Sequence, residues 1–170
     1  MDTTILQWLA EFNGKKGPFR RVLELGAYDV NGSARLAFTD AAEYVGLDMR
    51  PGDGVDCVEF AHNLIHHPEW KDHFDCIVAT SFFEHDRSFW HTLPGIWRVI
   101  KPGGWFVLTV PTPEFPYHPE PQDYWRFTEE TIREIFLDGF QHVEVHNPLW
   151  TPPAGQEHLK CQHLGGWGQA

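Results

Sequence analysis

The chain has 170 residues, 42% hydrophobic and 15% aromatic, a length at which one domain is expected to bury about 70% of its unfolded surface without disulfide or metal staples. Its 24 acidic against 13 basic side chains give a formal charge of -11, which argues against an extended nucleic-acid track or an anionic membrane surface, since both need clustered Lys and Arg. Cys57, Cys76 and Cys161 are too scattered for a Cys-x-x-Cys site or a disulfide frame. Met1 to Ala10 has no basic, apolar leader, so a cytoplasmic protein is expected.

In chain order, Ile5, Leu6, Trp8, Leu9 and Phe12 fall at helical spacing, which predicts a packing helix over 3–12. Residues 21–26 form a short apolar run stopped by Gly26, and a turn-rich segment leads to a predicted helix over 33–42. Strands are predicted at 44–48, more weakly at 54–58, and at 74–80, with a helical segment at 61–66. A helix over 88–100 carries Pro94, which implies a late start or a kink. A Lys-Pro-Gly-Gly turn follows, then a strand at 105–110 that is apolar on both faces, as inside a covered parallel sheet. The segment 111–127 holds five prolines and is too long for a bare connector. Thr128 is placed to cap a helix ended by Gly139, and 140–146 reads as the last clear strand. The Gly/Pro-rich tail, 147–170, shows only a weak strand signal near 158–163.

Alternating strands and helices predict one α/β domain, a doubly wound and mainly parallel Rossmann-like sheet of about six or seven strands with helices on both faces, its core at about 20–146. Ligands of such sheets bind beyond the carboxyl ends of the strands. After the first strand stands Glu24-Leu25-Gly26-Ala27-Tyr28-Asp29-Val30-Asn31-Gly32-Ser33. Tyr28 and Asn31 occupy places where a dinucleotide fingerprint needs glycine, which argues against NAD or FAD. Asp48 follows Gly26 by 22 positions, near the spacing at which an acid accepts hydrogen bonds from ribose hydroxyls, so a nucleoside ligand is favoured.

With these blocks go FDCIVATSFFEH (74–85), WRVIKPGGWFVLTVP (97–111) and HPEPQDYWRFT (118–128). Together they resemble the class I S-adenosylmethionine-dependent methyltransferases, in the right order over about 20–145. The resemblance implies that Gly26, Ala27, Tyr28, Asn31 and Gly32 wrap the methionine end of S-adenosylmethionine, with Glu24 orienting it. It further implies that Asp48 holds the ribose, Met49 lies against adenine and Ser81 lines the cofactor near the sulfonium. Phe60 stands where relatives carry an Asp, so it either stacks on adenine or leaves a polar contact unmade.

On the acceptor side, topology brings Glu84 and His85 near His118, Asp123, Tyr124 and Arg126. His85 and His118 are candidate bases, because imidazole titrates near neutrality; Glu84, Asp123, Tyr124 and Arg126 are candidate acceptor contacts. Set against this, Glu84 or His85 could cap the next helix, and Tyr124, Trp125 and Arg126 could pin the long loop. His62 and His66 share a helical face, but no carboxylate or Cys completes a metal set with them, so no metal is expected. The expected activity is metal-independent methyl transfer to an oxygen or nitrogen of a small molecule or an exposed side chain. The alternatives are a catalytically silent scaffold that binds the cofactor and a nicotinamide-dependent oxidoreductase.

Overall fold

The structure, a computed structural model, describes residues 3–30, 32–119, 121–149 and 162–170. Its centre is a seven-stranded sheet: β1 (Arg21–Leu25), β2 (Glu43–Asp48), β3 (Cys57–Val58), β4 (Phe74–Thr80), β5 (Ile100–Pro111), β6 (Gln141–His146) and β7 (His163–Gln169). Their spatial order is β3-β2-β1-β4-β5-β7-β6. The first five run parallel, and β7 is antiparallel to both its neighbours.

Side-chain alternation divides the interior into two layers. Val22, Cys76, Val78, Trp105 and Val107 face one side of the sheet, where α1 (Thr3–Lys16) lays down Ile5, Trp8, Leu9 and Phe12. Leu23, Leu25, Ile77, Ala79, Phe106 and Leu108 face the other, against Leu64 and against Ile96 and Val99 of α2 (Phe89–Val99). Leu9 and Phe12 are fully buried, which stabilises the fold by about 1.5–3 kcal/mol for each such side chain. The sheet is therefore doubly wound, and its strand order reverses between β1 and β4. Their carboxyl ends release Gly26 and Ser81 side by side, and β2 delivers Asp48 next to them.

Several elements differ from expectation. The helix predicted over 33–42 is a single 3-10 turn, Ala34–Ala37, capped by Ser33 Oγ accepting from Arg35 N at 3.1 Å. Ala34, Ala37 and Phe38 are buried, but the turn-forming Thr39 and Asp40 come next and stop the helix, although the apolar spacing runs on to Ala41. The helix after Thr128 begins as α3 (Glu129–Thr131), with Thr128 Oγ1 accepting from Thr131 N, and continues as a π-type turn, Ile132–Phe136. The Lys-Pro-Gly-Gly turn belongs to the irregular start of β5, where the register with β4 shifts.

The largest difference is β7, most of which lies beyond the weak signal at 158–163; residues 158–161 are outside the described set. Three glycines make this strand a poor β-former by propensity. Packing overrides that: a Cβ on Gly165 would sit 2.7 Å from Leu108 O, and one on Gly168 would sit 2.6 Å from Phe140 Cβ. Trp167 of the same strand is buried against Trp8 and Phe12, with ring centroids 4.9 and 5.1 Å away. Among the described residues no helix is long and apolar enough to cross a membrane.

Candidate active site

The carboxyl ends of β1, β2 and β4 open into one cavity of about 840 Å³, near the top of the range of about 300–1,000 Å³ typical of ligand pockets. Glu24, Gly26, Ala27, Tyr28, Gly32, Asp48, Met49, Phe60 and Ser81 all line it. Asn31, the remaining residue of the expected cofactor set, lies outside the described residues.

Backbone geometry shapes this end. Gly26 has φ +74°, and a Cβ there would meet the Phe82 ring at 2.9 Å; its N–H donates to Leu47 O at 2.9 Å, which turns the chain away from β1. On β2, a Cβ on Gly46 would lie 2.0 Å from Gly54 O. The loop after β2 therefore folds back hard against the strand, and Arg50 stacks over Tyr28 with 4.7 Å from Cζ to the ring centroid. Asp48 is tethered where β2 ends: Oδ1 accepts from Arg50 N at 2.9 Å and Oδ2 from Tyr28 N at 3.3 Å. The carboxylate keeps lone pairs for a ligand diol. Ser81 is held at φ +48°, a left-handed conformation sparsely populated by non-glycine residues.

Glu24 is buried on the floor of this loop, with Oε2 accepting from Tyr44 Oη at 2.8 Å and Oε1 from Ala34 N at 3.4 Å. Burial pushes its carboxyl up to about 7, against the opposing pull of the Tyr44 hydrogen bond. A cationic ligand group placed beside it therefore meets a carboxyl ready to release its proton.

At the rim, Phe60 is 49% exposed and stacks on His62, with centroids 5.2 Å apart and planes 19° apart. Its neighbour Glu59 also lines the cavity, and Oε1 accepts from Asn63 Nδ2 at 2.7 Å and from Phe60 N at 2.8 Å. The Asn63 hydrogen bond holds the Glu59 carboxyl below its ordinary pKa, so it is an ionised acceptor. Glu59 was missed in the sequence because the pattern of relatives places the acid one position later, at Phe60.

The opposite wall is built by side chains. His85, His118 and Tyr124 line the cavity, whereas Glu84, Asp123 and Arg126 do not. Arg126 forks onto Asp123, donating through Nη2 to Oδ2 at 2.7 Å and through Nη1 to Oδ1. It also donates to the carbonyls of Phe115, Pro116 and Trp125. Asp123 Oδ2 accepts from His118 N at 2.8 Å, and the Arg126 pairing drops its carboxyl to about 2. The hydrogen-bonding capacity of these two residues is spent on folding the proline-rich loop into a platform for His118, and neither lines the cavity. The loop docks through Tyr124 N and Trp125 N, which donate to Glu84 O at 2.8 and 3.3 Å, and through Trp125 Nε1, which donates to Asp86 O at 3.0 Å.

Glu84 does not cap the next helix, whose N-cap position is Ser88; Asp86 braces its start, accepting from Ser88 N at 2.9 Å and from Thr92 Oγ1 at 2.6 Å. Glu84 itself is completely buried beneath His85 and His118, both of whose Nε2 atoms lie 3.8 Å from its Oε1. This carboxylate is what chiefly raises the His118 pKa above its ordinary value.

The profile of the family described as "Methyltransferase domain" matches residues 1–149, so the chain belongs to that family. No curated protein sequence matches it. Solved structures similar in fold include an S-adenosylmethionine-dependent methyltransferase from Archaeoglobus fulgidus (TM-score 0.71, 14% identity, covering 98% of this chain and 93% of that one). Another is the Burkholderia thailandensis 1,6-didemethyltoxoflavin-N1-methyltransferase, solved with 1,6-didemethyltoxoflavin and S-adenosylhomocysteine (TM-score 0.71, 17% identity, 98% and 77% coverage). A third is an S-adenosylmethionine-dependent methyltransferase from Mesorhizobium loti (TM-score 0.65, 17% identity, 98% of both chains). The expected class of enzyme and the expected Rossmann-like sheet are both met.

Proposed function

We propose that this chain transfers a methyl group from S-adenosylmethionine to an oxygen or nitrogen of a small molecule or an exposed side chain, in a step that needs no metal. The observation that carries this reading is the single cavity in which the glycine-built loop with Asp48 faces His85 and His118. The cofactor supplies a methyl carbon already activated by a sulfonium, so the reaction is an in-line displacement that gains mainly from positioning.

Each wall then has a part. Glu24 and the turn at Gly26 take the amino-acid end, Asp48 accepts from the ribose hydroxyls, and Met49, Phe60 and Glu59 receive the adenine. The bound cofactor would offer its methyl carbon to the acceptor's lone pair, the carbon–sulfur electron pair leaving on sulfur, and either His118 or His85 takes the one proton the acceptor releases. Tyr124 lines the acceptor end. The cavity volume of about 840 Å³ is sufficient for a nucleoside cofactor beside a small acceptor.

The test is a thermal-shift titration with S-adenosylmethionine and S-adenosylhomocysteine, with NAD as control. At a hundredfold excess over Kd, binding adds about 2.7 kcal/mol, or about 5–10 °C in Tm. The shift is expected for the first two ligands only, to be lost in Asp48→Ala and to survive in His118→Ala. An equal response to NAD, or equal losses in the two variants, contradicts the assignment of these loops. Ligand binding without turnover across an acceptor screen would indicate a silent scaffold instead.

A further inference from the structure

From the convergence of His85 Nε2 and His118 Nε2 on the buried carboxylate of Glu84, we infer a binding site for a divalent transition-metal ion of the zinc class on the acceptor wall of the cavity. One atom from each of the three residues lies within 4.8 Å of the others. Neither oxygen of Glu84 has a hydrogen-bond partner among the described residues, although the side chain is completely buried. A buried carboxylate left in that state costs several kcal/mol unless a cation neutralises it.

The two imidazoles are prepared to present lone pairs rather than protons. His85 Nδ1 is bonded to the carbonyl of Gln122, an acceptor only, so Nδ1 carries the hydrogen and Nε2 is left with its lone pair. His118 Nδ1 lies 3.2 Å from Asp123 Oδ2, closer than the 3.5 Å to Arg126 Nη2, and the carboxylate favours the proton on that nitrogen. Both rings thus aim a bare Nε2 at the same orphaned oxygen, 3.8 Å away in each case. With both imidazoles neutral, three acceptors face one another with no donor between them and repel, and either a proton on His118, which Glu84 favours, or a cation relieves that repulsion. Fixing a histidine through its other nitrogen, by a backbone carbonyl or a carboxylate, is the outer arrangement that orients metal-binding imidazoles.

The dimensions suit the ion. Bonds of about 2.0–2.2 Å place tetrahedral donors about 3.3–3.6 Å apart, so the two histidine–carboxylate separations of 3.8 Å close by small side-chain rotations. Two imidazoles and one carboxylate favour zinc, iron, cobalt or nickel over magnesium or calcium, which prefer all-oxygen sets. Both histidines line the cavity, which gives the ion an entry path and leaves its remaining coordination positions facing the acceptor space. The inference departs from the metal-free site expected from the sequence and rests on the functional reading only for its consequence. While Nε2 of His118 holds a metal it cannot accept a proton, so the ion competes with the base role.

The test titrates the chelator-treated full chain with Zn²⁺ by calorimetry and with Co²⁺ by visible absorption, reading metal binding directly. One ion per chain is expected. Glu84→Gln and His118→Ala are each expected to weaken binding at least tenfold while keeping the thermal shift with S-adenosylmethionine, and His66→Ala, an exposed histidine elsewhere, should bind as the parent does. Should Glu84→Gln fail to fold, His118→Ala and His85→Gln, at partly exposed positions, decide the matter. No binding by the parent, or binding indifferent to these substitutions, overturns the site and leaves the methyl-transfer reading intact. Metal binding by a chain that ignores S-adenosylmethionine overturns that reading and leaves the site.

Discussion

The two walls of the cavity are made of different materials. The wall from β1 and β2 is backbone: glycines at 26, 46 and 54 let strands and loops touch where a Cβ would collide. The wall from the proline-rich loop is side chain, an Arg126–Asp123–His118 network set over Glu84. A backbone cradle fits a ligand that does not change, whereas a side-chain wall can be rewritten residue by residue. The contrast explains how one fold keeps its cofactor while its acceptors diverge.

Gly46→Ala strikes the first wall hardest, because the added Cβ meets a backbone oxygen at 2.0 Å. A loss of about 3 kcal/mol, about 6–12 °C in Tm, is expected, and an unchanged melting curve breaks the idea that close backbone approach defines this wall. Asp48→Ala should leave Tm nearly unchanged and weaken S-adenosylmethionine binding by about 1.5–3 kcal/mol, the value of hydrogen bonds to a charged group. Calorimetric Kd values check it.

Arg126→Lys tests the second wall. Lysine cannot reproduce the fork onto Asp123 or hold three carbonyls at once, so about 1–2 kcal/mol of stability should be lost, read by chemical denaturation. Cofactor Kd should not move; if it does, the walls are not independent. The smallest effect concerns pH. Since Glu24 titrates at about 7 in the folded chain against 4.5 ordinarily, the native state binds more protons than the unfolded state between these values. This group's contribution to stability therefore falls as pH rises from about 4.5 to 7. Cofactor binding follows the opposite course, because the ionised carboxyl is the form that pairs with an ammonium. Affinity should rise up to about tenfold between pH 6 and 8, and in Glu24→Gln that dependence should vanish.

The backbone wall was the legible one. Gly26 after an apolar run and Asp48 after the next are local signals, and the order of the blocks located the sheet without knowledge of packing. Phe60 lines the cavity as the pattern of blocks implies, whereas the part of Glu59 beside it becomes visible only once the loop is traced. The side-chain wall was legible in membership but not in role. Arg126 and Asp123 read as acceptor contacts, yet they satisfy each other, and no sequence pattern reveals that Glu84 is sealed beneath two imidazoles. The missed β7 has the same origin: its glycines are dictated by neighbours far along the chain, Leu108 and Phe140, rather than by its own propensity.

That strand also governs the order in which the sheet can assemble. β6 precedes β7 in the chain, but β7 is the element that bonds to β5, and β6 bonds only to β7. Until His163–Gln169 threads between them, β5 exposes an open edge of apolar residues and β6 has nothing to pair with. The β5–β7 pairing joins segments far apart in the chain and carries the larger loop-closure entropy, whereas β6 and β7 are neighbours in sequence. The β6–β7 pair is therefore expected to dock on β5 as a unit, and a chain in which that docking fails is expected to self-associate through the bare edge of β5.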